Sequence, residues 1–183
     1  MKKHPLKLII EFGVGAAAVI AAGAWLLRGD SASQCSEDAY RKKVVDAARS
    51  QVGKRDLDAY FVDAAPQFVG QHPEWCGIFA LWALHQAGLA KSKQWKTGLG
   101  FVEVPPALPK THDPKPGDIV YYIKYSHHAV VGAVNDDGTI EAINGNGQGG
   151  VVSLSRPKIA DATSIYSISK LIDEAQTQAG CKS

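Results

Sequence analysis

An α+β domain, with N-terminal helices packed on an antiparallel sheet and one transmembrane helix ahead of it, is what this 183-residue chain predicts. Three observations lead there. The apolar run from Leu8 to Leu27 is about as long as a bilayer-crossing helix. Helical periodicity with capping signals then fills the first half of the remainder. Short β-rich runs separated by Asn, Asp and Gly turns fill the second half, and helices followed by strands is an α+β order. The length suits one ordinary domain plus an appendage, and no internal repeat is present.

The appendage is residues 1–30. Lys2, Lys3 and Lys7 precede the apolar run, Glu11 is its only charge, and Asp30 follows it. Basic residues before a span keep its N-terminus cytoplasmic, which sends residues 31–183 across the membrane. The expected location is therefore the cytoplasmic (inner) membrane, single-pass, with the C-terminal domain in the periplasm or outside the cell. The run is longer than a usual signal-peptide core, which favours an anchor. Ser31-Ala32-Ser33 supplies the small residues a signal peptidase needs, so cleavage and secretion form the alternative.

Within residues 31–183, Ser36 to Gln51 reads as an amphipathic helix. Ser36 caps it, Glu37 and Asp38 lie in its first turn, Gly53 follows its end, and Val44, Val45, Ala48 and Val52 form one stripe. Lys54 to Pro73 is mixed and punctuated by proline. A nearly continuous apolar helix begins at Cys76 and ends at Gly88, and its composition places it in the centre of the fold. Lys91 to Thr111 is irregular and long enough to shape a cleft. Lys115-Pro116-Gly117-Asp118 is a turn leading into a strand at Ile119–Ile123. The strand His127–Val134 follows, then the hairpin turn Asn135-Asp136-Asp137-Gly138. Thr139–Asn144 returns, Val151–Leu154 and Ile165–Ile168 are further strands, and Lys170–Gln178 is a terminal helix.

Charge and cysteine usage narrow the function. Residues 1–30 take four of the 20 Lys and Arg and two of the 18 Asp and Glu, so the remainder is formally neutral. A nucleic-acid footprint is absent. Of the three cysteines, Cys35 and Cys181 bracket the globular part and Cys76 lies inside it. In an exported domain the simplest division is one disulfide, Cys35 to Cys181, and one free thiol. So long a closed loop corresponds to about 4 kcal/mol in the chain-entropy account. No Cys-x-x-Cys or His-x-x-x-His pair offers a zinc site, and the Gly-rich turn after Asn144 lacks the carboxylates calcium needs. No metal and no cofactor is expected.

Cys76 carries the chemistry. A helix N-terminus offers unpaired N–H groups and partial positive charge, which favour a thiolate. An imidazole within reach takes the thiol proton and returns it to the leaving group, and a third side chain fixes the ring. His127 opens a small-residue strand and is the candidate base. Strand alternation puts it on one face with Ala129 and Val131, with a small residue at 129 leaving room for the nucleophile helix, while His128 points the other way. Asn144 is the preferred orienting residue, then Asn146, with Glu141 third. Trp95, in the irregular segment, and Trp75, beside the thiol, are the candidate substrate contacts, although Trp75 and Trp82 suit core positions as well. His72, His85 and His112 read as surface or loop histidines.

These residues resemble the papain-like NlpC/P60 and CHAP cysteine peptidases and amidases, over roughly Tyr40 to Ile168. Trp75-Cys76-Gly77-Ile78-Phe79 is similar to their nucleophile helix, and Lys115-Pro116-Gly117-Asp118-Ile119-Val120 to their Pro-Gly-Asp turn and strand. His127-His128-Ala129-Val130-Val131 is similar to the histidine strand, and Asp137-Gly138-Thr139-Ile140 with Asn144-Gly145-Asn146 to the hairpin and its polar motif. Two positions depart from the pattern. CHAP-like members often carry Glu where this chain has Asn144, and the residue after the catalytic His is usually apolar, whereas here it is His128.

The resemblance implies a cell-wall hydrolase, with peptidoglycan as substrate. It would cleave a stem-peptide or cross-bridge bond, or the amide between muramic acid and L-alanine, by a Cys76–His127–Asn144 mechanism with Asn146 in support. The alternative is a binding module on the same fold, without catalysis, that holds wall peptides or a protein partner of an envelope machine. A transpeptidase or thioesterase on the same core is a third reading. No particular protein partner is indicated.

Overall fold

The computed structural model describes residues 34–71, 73–95 and 108–181. The expected membrane span, His72 and most of the irregular segment after Lys91 lie outside the described residues. Among the described residues no helix is long and apolar enough to cross a membrane. Cys35–Ser183 is a unit of its own.

Its first helix, α1 (Glu37–Arg49), starts where the sequence signals it. The Ser36 hydroxyl accepts from the Ala39 N–H at 3.1 Å, and Glu37 and Asp38 face the positive end of the helix dipole. Tyr40, Val44, Val45 and Ala48 form its buried stripe, whereas Val52, expected on it, lies past the helix end and is exposed. The short α2 (Leu57–Ala64) is capped by Asp56. Helix α3 (Cys76–Gln86) is buried at every residue from Cys76 to His85, as its unbroken apolar run requires. Gly88, at φ +81°, takes the left-handed turn that ends it, and the Leu89 N–H returns to the Leu84 carbonyl at 2.9 Å. The last helix is α4 (Ser169–Gln178).

The strands are β1 (Ile119–Tyr122), β2 (His127–Val134), β3 (Ile140–Asn144), β4 (Ser153–Ser155) and β5 (Ser164–Tyr166), in the antiparallel order β4-β3-β2-β1-β5. The first four form the expected meander. The fifth does not continue it but pairs with the free edge of β1, Ile119 opposite Tyr166. The chain crosses back through Ile159 and Ala162, which cover apolar residues of the sheet on the way. Ile123 leaves the sheet for a 3₁₀ turn, Ile123–Tyr125, so β1 ends one residue early.

Both sheet faces are covered, and each belongs to a separate apolar cluster. Ile119, Val130, Ile143 and Tyr166 pack against the helices, with Ile78, Phe79, Leu81 and Trp82 of α3. Val120, Tyr122, Ala129, Val131, Ile140 and Ala142 form the second cluster on the opposite face. The face that His127 shares with Ala129 and Val131 is therefore the one turned away from the helices, not the one α3 approaches. Alternation gives the parity of a strand but not which parity meets the helices when both are apolar.

One buried polar knot holds helices to sheet. The Arg41 guanidinium donates to Asp118 Oδ1 at 2.8 Å, Glu37 Oε1 at 2.8 Å, the Pro116 carbonyl at 3.0 Å and Ser169 Oγ at 2.9 Å. Asp118 also accepts from the backbone N–H groups of Lys115 and Ile168 at 2.9 and 3.1 Å. The Pro-Gly-Asp turn is thus a three-way joint between α1, β1 and α4. A disulfide joins Cys35 to Cys181 across 146 residues, tying the approach to α1 to the end of α4.

Candidate active site

Cys76 is the first residue of α3, so its side chain sits among the N–H groups that no helical carbonyl satisfies. The backbone N–H groups of His128, Gly77 and Cys76 itself all bond toward the sulfur and pull its pKa down. Burial acts more strongly in the other direction, and the Glu74 charge adds to it, so the thiol is held above its ordinary value. The thiol also lies 3.8 Å from the Ser126 carbonyl oxygen. The sulfur therefore packs against the backbone on either side of His127, at the point where β2 begins.

Two features let α3 come this close. Gly77 has no side chain, and a Cβ there would overlap the Trp95 ring. Gly145, between Asn144 and Asn146, presses its backbone on Phe79 of α3, and a Cβ there would overlap that ring. The two glycines are where helix, tryptophan and the end of β3 meet at backbone distance.

His127 Nε2 lies 3.0 Å from Asn144 Oδ1. The Asn144 amide group is oriented by its other bonds. Its Nδ2 donates to the carbonyls of Ala142 at 2.9 Å and Ser153 at 3.1 Å, which only accept, and to Ser155 Oγ at 3.0 Å. Oδ1 is therefore the atom facing the ring, so His127 carries its proton on Nε2 and leaves Nδ1 with a free lone pair. Burial pushes the His127 pKa below its ordinary value, while Asn144 and the more remote Glu74 charge oppose that shift. The resting pair is a neutral thiol and a neutral imidazole.

Asn146 does not join this chain of bonds. It sits at φ +52° in the turn after β3 and donates to the Glu74 carboxylate. Trp75 is 2% exposed, stacked on Tyr60 with ring centroids 5.5 Å apart and edge-on to Phe79. This corrects its assignment as a substrate contact: the bulk of the indole fills the core, leaving no face open. Trp95 is also buried, over Gly77 and edge-on to His128, so it backs the nucleophile helix rather than lining an open cleft. Glu141 bonds Arg49 at 2.7 Å. His85 is not a surface residue but is buried in α3, with Nδ1 3.1 Å from Asp63. A cavity of about 610 Å³ opens beside His127 and Asn144, with Tyr122, Lys124, Tyr125 and Asp161 among its walls. Tyr125 and Ile123 stand exposed at its lip. Among the described residues no three His, Cys, Asp or Glu side chains group to hold a metal.

His128 faces the helices, with its ring 4.6 Å from Tyr121 and 5.3 Å from Trp95. Burial, with a smaller contribution from the neighbouring His127, pushes its pKa down to about 4. In the unfolded chain the same ring takes up a proton near the ordinary histidine value of 6.5. The stability present above that value is therefore lost as pH falls through the window between the two pKa values, by about 3 kcal/mol. His128→Val is expected to flatten the urea-unfolding free energy over this window. An unchanged slope would show that His128 is not the group responsible.

Cys76, His127, Asn144 and Asn146 all fall within residues 68–146, which match the family model of the CHAP domain. No curated protein and no solved structure matches the chain.

Proposed function

We propose, from the CHAP domain that residues 68–146 carry, that this protein is a peptidoglycan hydrolase acting through Cys76, His127 and Asn144. CHAP domains are in general hydrolases of peptidoglycan, as amidases or peptidases. The observation that carries the mechanism is the Asn144 amide, whose fixed orientation leaves His127 Nδ1 unprotonated at the start of a strand whose backbone packs on the helix-start thiol.

Cys76 attacks an amide carbonyl carbon and its proton passes to His127 Nδ1. The oxyanion that forms is stabilised by N–H groups at the start of α3. The imidazolium then protonates the departing amine, leaving a thioester on Cys76. Water, deprotonated by the same nitrogen, releases the acid and restores the thiol. Asn144 keeps the ring in one tautomer throughout. The cavity beside His127 receives part of the wall peptide, with Tyr125 at its lip. The domain works on the exported side of the cytoplasmic membrane, tethered through Leu8–Leu27.

A second reading has one observation in its favour. Burial holds the Cys76 thiol above its ordinary pKa, which suits a binding module of the same fold. Purified peptidoglycan digested by the whole chain and by Cys76→Ala, with products read by mass spectrometry, separates the two. Muropeptides released only by the wild type support the hydrolase, and their masses name the bond. Wall binding by both proteins without release establishes the binding module.

A further inference from the structure

A base that becomes an imidazolium needs negative charge nearby, and Asn144 offers only a neutral amide. A carboxylate whose charge acts on His127 comes from another element. Glu74 lies two residues before Cys76, and its carboxylate accepts from Asn146 Nδ2, two residues beyond Asn144. That bond joins the segment leading into α3 to the turn leaving β3, the two segments that carry the nucleophile and the orienting residue. Asn146 holds a left-handed backbone to make it, in a turn whose preceding residue is packed on Phe79.

We infer that Glu74 is a positioning residue of this site: latched by Asn146, it holds a negative charge within electrostatic reach of His127 where Asn144 supplies none. The inference rests on the hydrolase reading for its catalytic meaning. Its electrostatics follow from the arrangement alone. The Glu74 charge raises the pKa of His127 and also that of Cys76. It therefore favours the imidazolium and opposes the free thiolate. In the balance between the two groups these effects oppose each other, so burial decides it and the site rests as a neutral pair. It moves its proton only when the substrate carbonyl takes up the electrons of the sulfur. Among the described residues the other titratable groups around His127 are the Cys76 thiol at the start of β2, His128 behind it, and Tyr122, Lys124, Tyr125 and Asp161 around the cavity. None of these places a carboxylate on the bond between α3 and β3.

The test is a histidine-ring NMR titration of the whole chain in a Cys76→Ala background, which removes the titrating thiol. Glu74→Gln and Asn146→Ala are each expected to lower the pKa of His127 by roughly 0.3–0.5 unit, the size of one exposed charge several ångströms away. Combining them should lower it no further, Glu74→Asp should restore it, and 1 M salt should shrink the difference. The low pKa of His128 reports that each variant is folded. A His127 titration unmoved by Glu74→Gln overturns the inference, and one moved by Glu74→Gln but not by Asn146→Ala overturns the latch. Failure of the wild type to digest peptidoglycan would refute the hydrolase reading instead and leave this titration unaffected.

Discussion

Cys76→Ala and His127→Ala are each expected to lower the rate of peptidoglycan hydrolysis by a factor on the order of 10⁴ or more, and the double variant to lose no more than either. The reasoning is that the two groups act as one unit. Without the imidazole, burial keeps the Cys76 proton in place, because that thiol sits above its ordinary pKa. Without the sulfur, the imidazole has no proton to accept. The backbone N–H groups at the start of α3 survive both substitutions, so a small residual rate is expected from them. The pH dependence should follow from the same pair. Activity needs His127 neutral, and its pKa is depressed, so the acid limb should fall below the ordinary histidine value. Steady-state rates of muropeptide release against pH provide the measurement. Additive losses in the double variant, or an acid limb unchanged in His127→Ala, would show that a different base serves Cys76.

The second large effect is structural. Asp118→Ala is expected to destabilise the domain by about 3–5 kcal/mol, because it leaves the Arg41 guanidinium buried without its carboxylate. It also strips acceptors from the N–H groups of Lys115 and Ile168. Arg41→Met should cost a similar amount from the other side. The pair Arg41→Met with Asp118→Leu should recover much of the loss, since a buried ion pair and a well-packed apolar pair are close in free energy. Urea unfolding of the four proteins decides it. A loss below about 1 kcal/mol in Asp118→Ala would mean that the knot is wetter than its burial implies. The functional consequence is indirect: Asp118 anchors the start of β1, and β1 pairs Tyr122 with His127.

Much of this was legible because local chemistry decided it. Ser36 caps α1, Gly88 ends α3, and the Asn135–Gly138 turn sets β2 against β3, each within a few residues of its cause. Cys76 was readable as a helix-start thiol and His127 as a strand start. The unread parts are long-range. Arg41 and Asp118 are 77 residues apart in sequence, and Glu74 and Asn146 are 72. Nothing local to either partner announces such a bond. The edge chosen by β5 depends on how Ile159 and Ala162 cross the sheet. His85 misled because a histidine on an apolar helix is drawn inward by its neighbours, with Asp63 of α2 receiving it. The face occupied by His127 misled because both sides of β2 are apolar.

That last feature sets how the site can vary. Cys76 opens α3, whose Ile78, Phe79 and Leu81 belong to the helical core, while His127 and Asn144 fall on the strand face of the separate cluster of Tyr122, Ala129 and Ala142. The two halves of the dyad therefore stand on different foundations that meet only at the end of the sheet. Substitutions in the helical core are expected to act on Cys76 first, and substitutions of Ile159 or Ala162 on His127 first. Packing under each residue is in this way divided between two apolar layers, while the Glu74 charge reaches both.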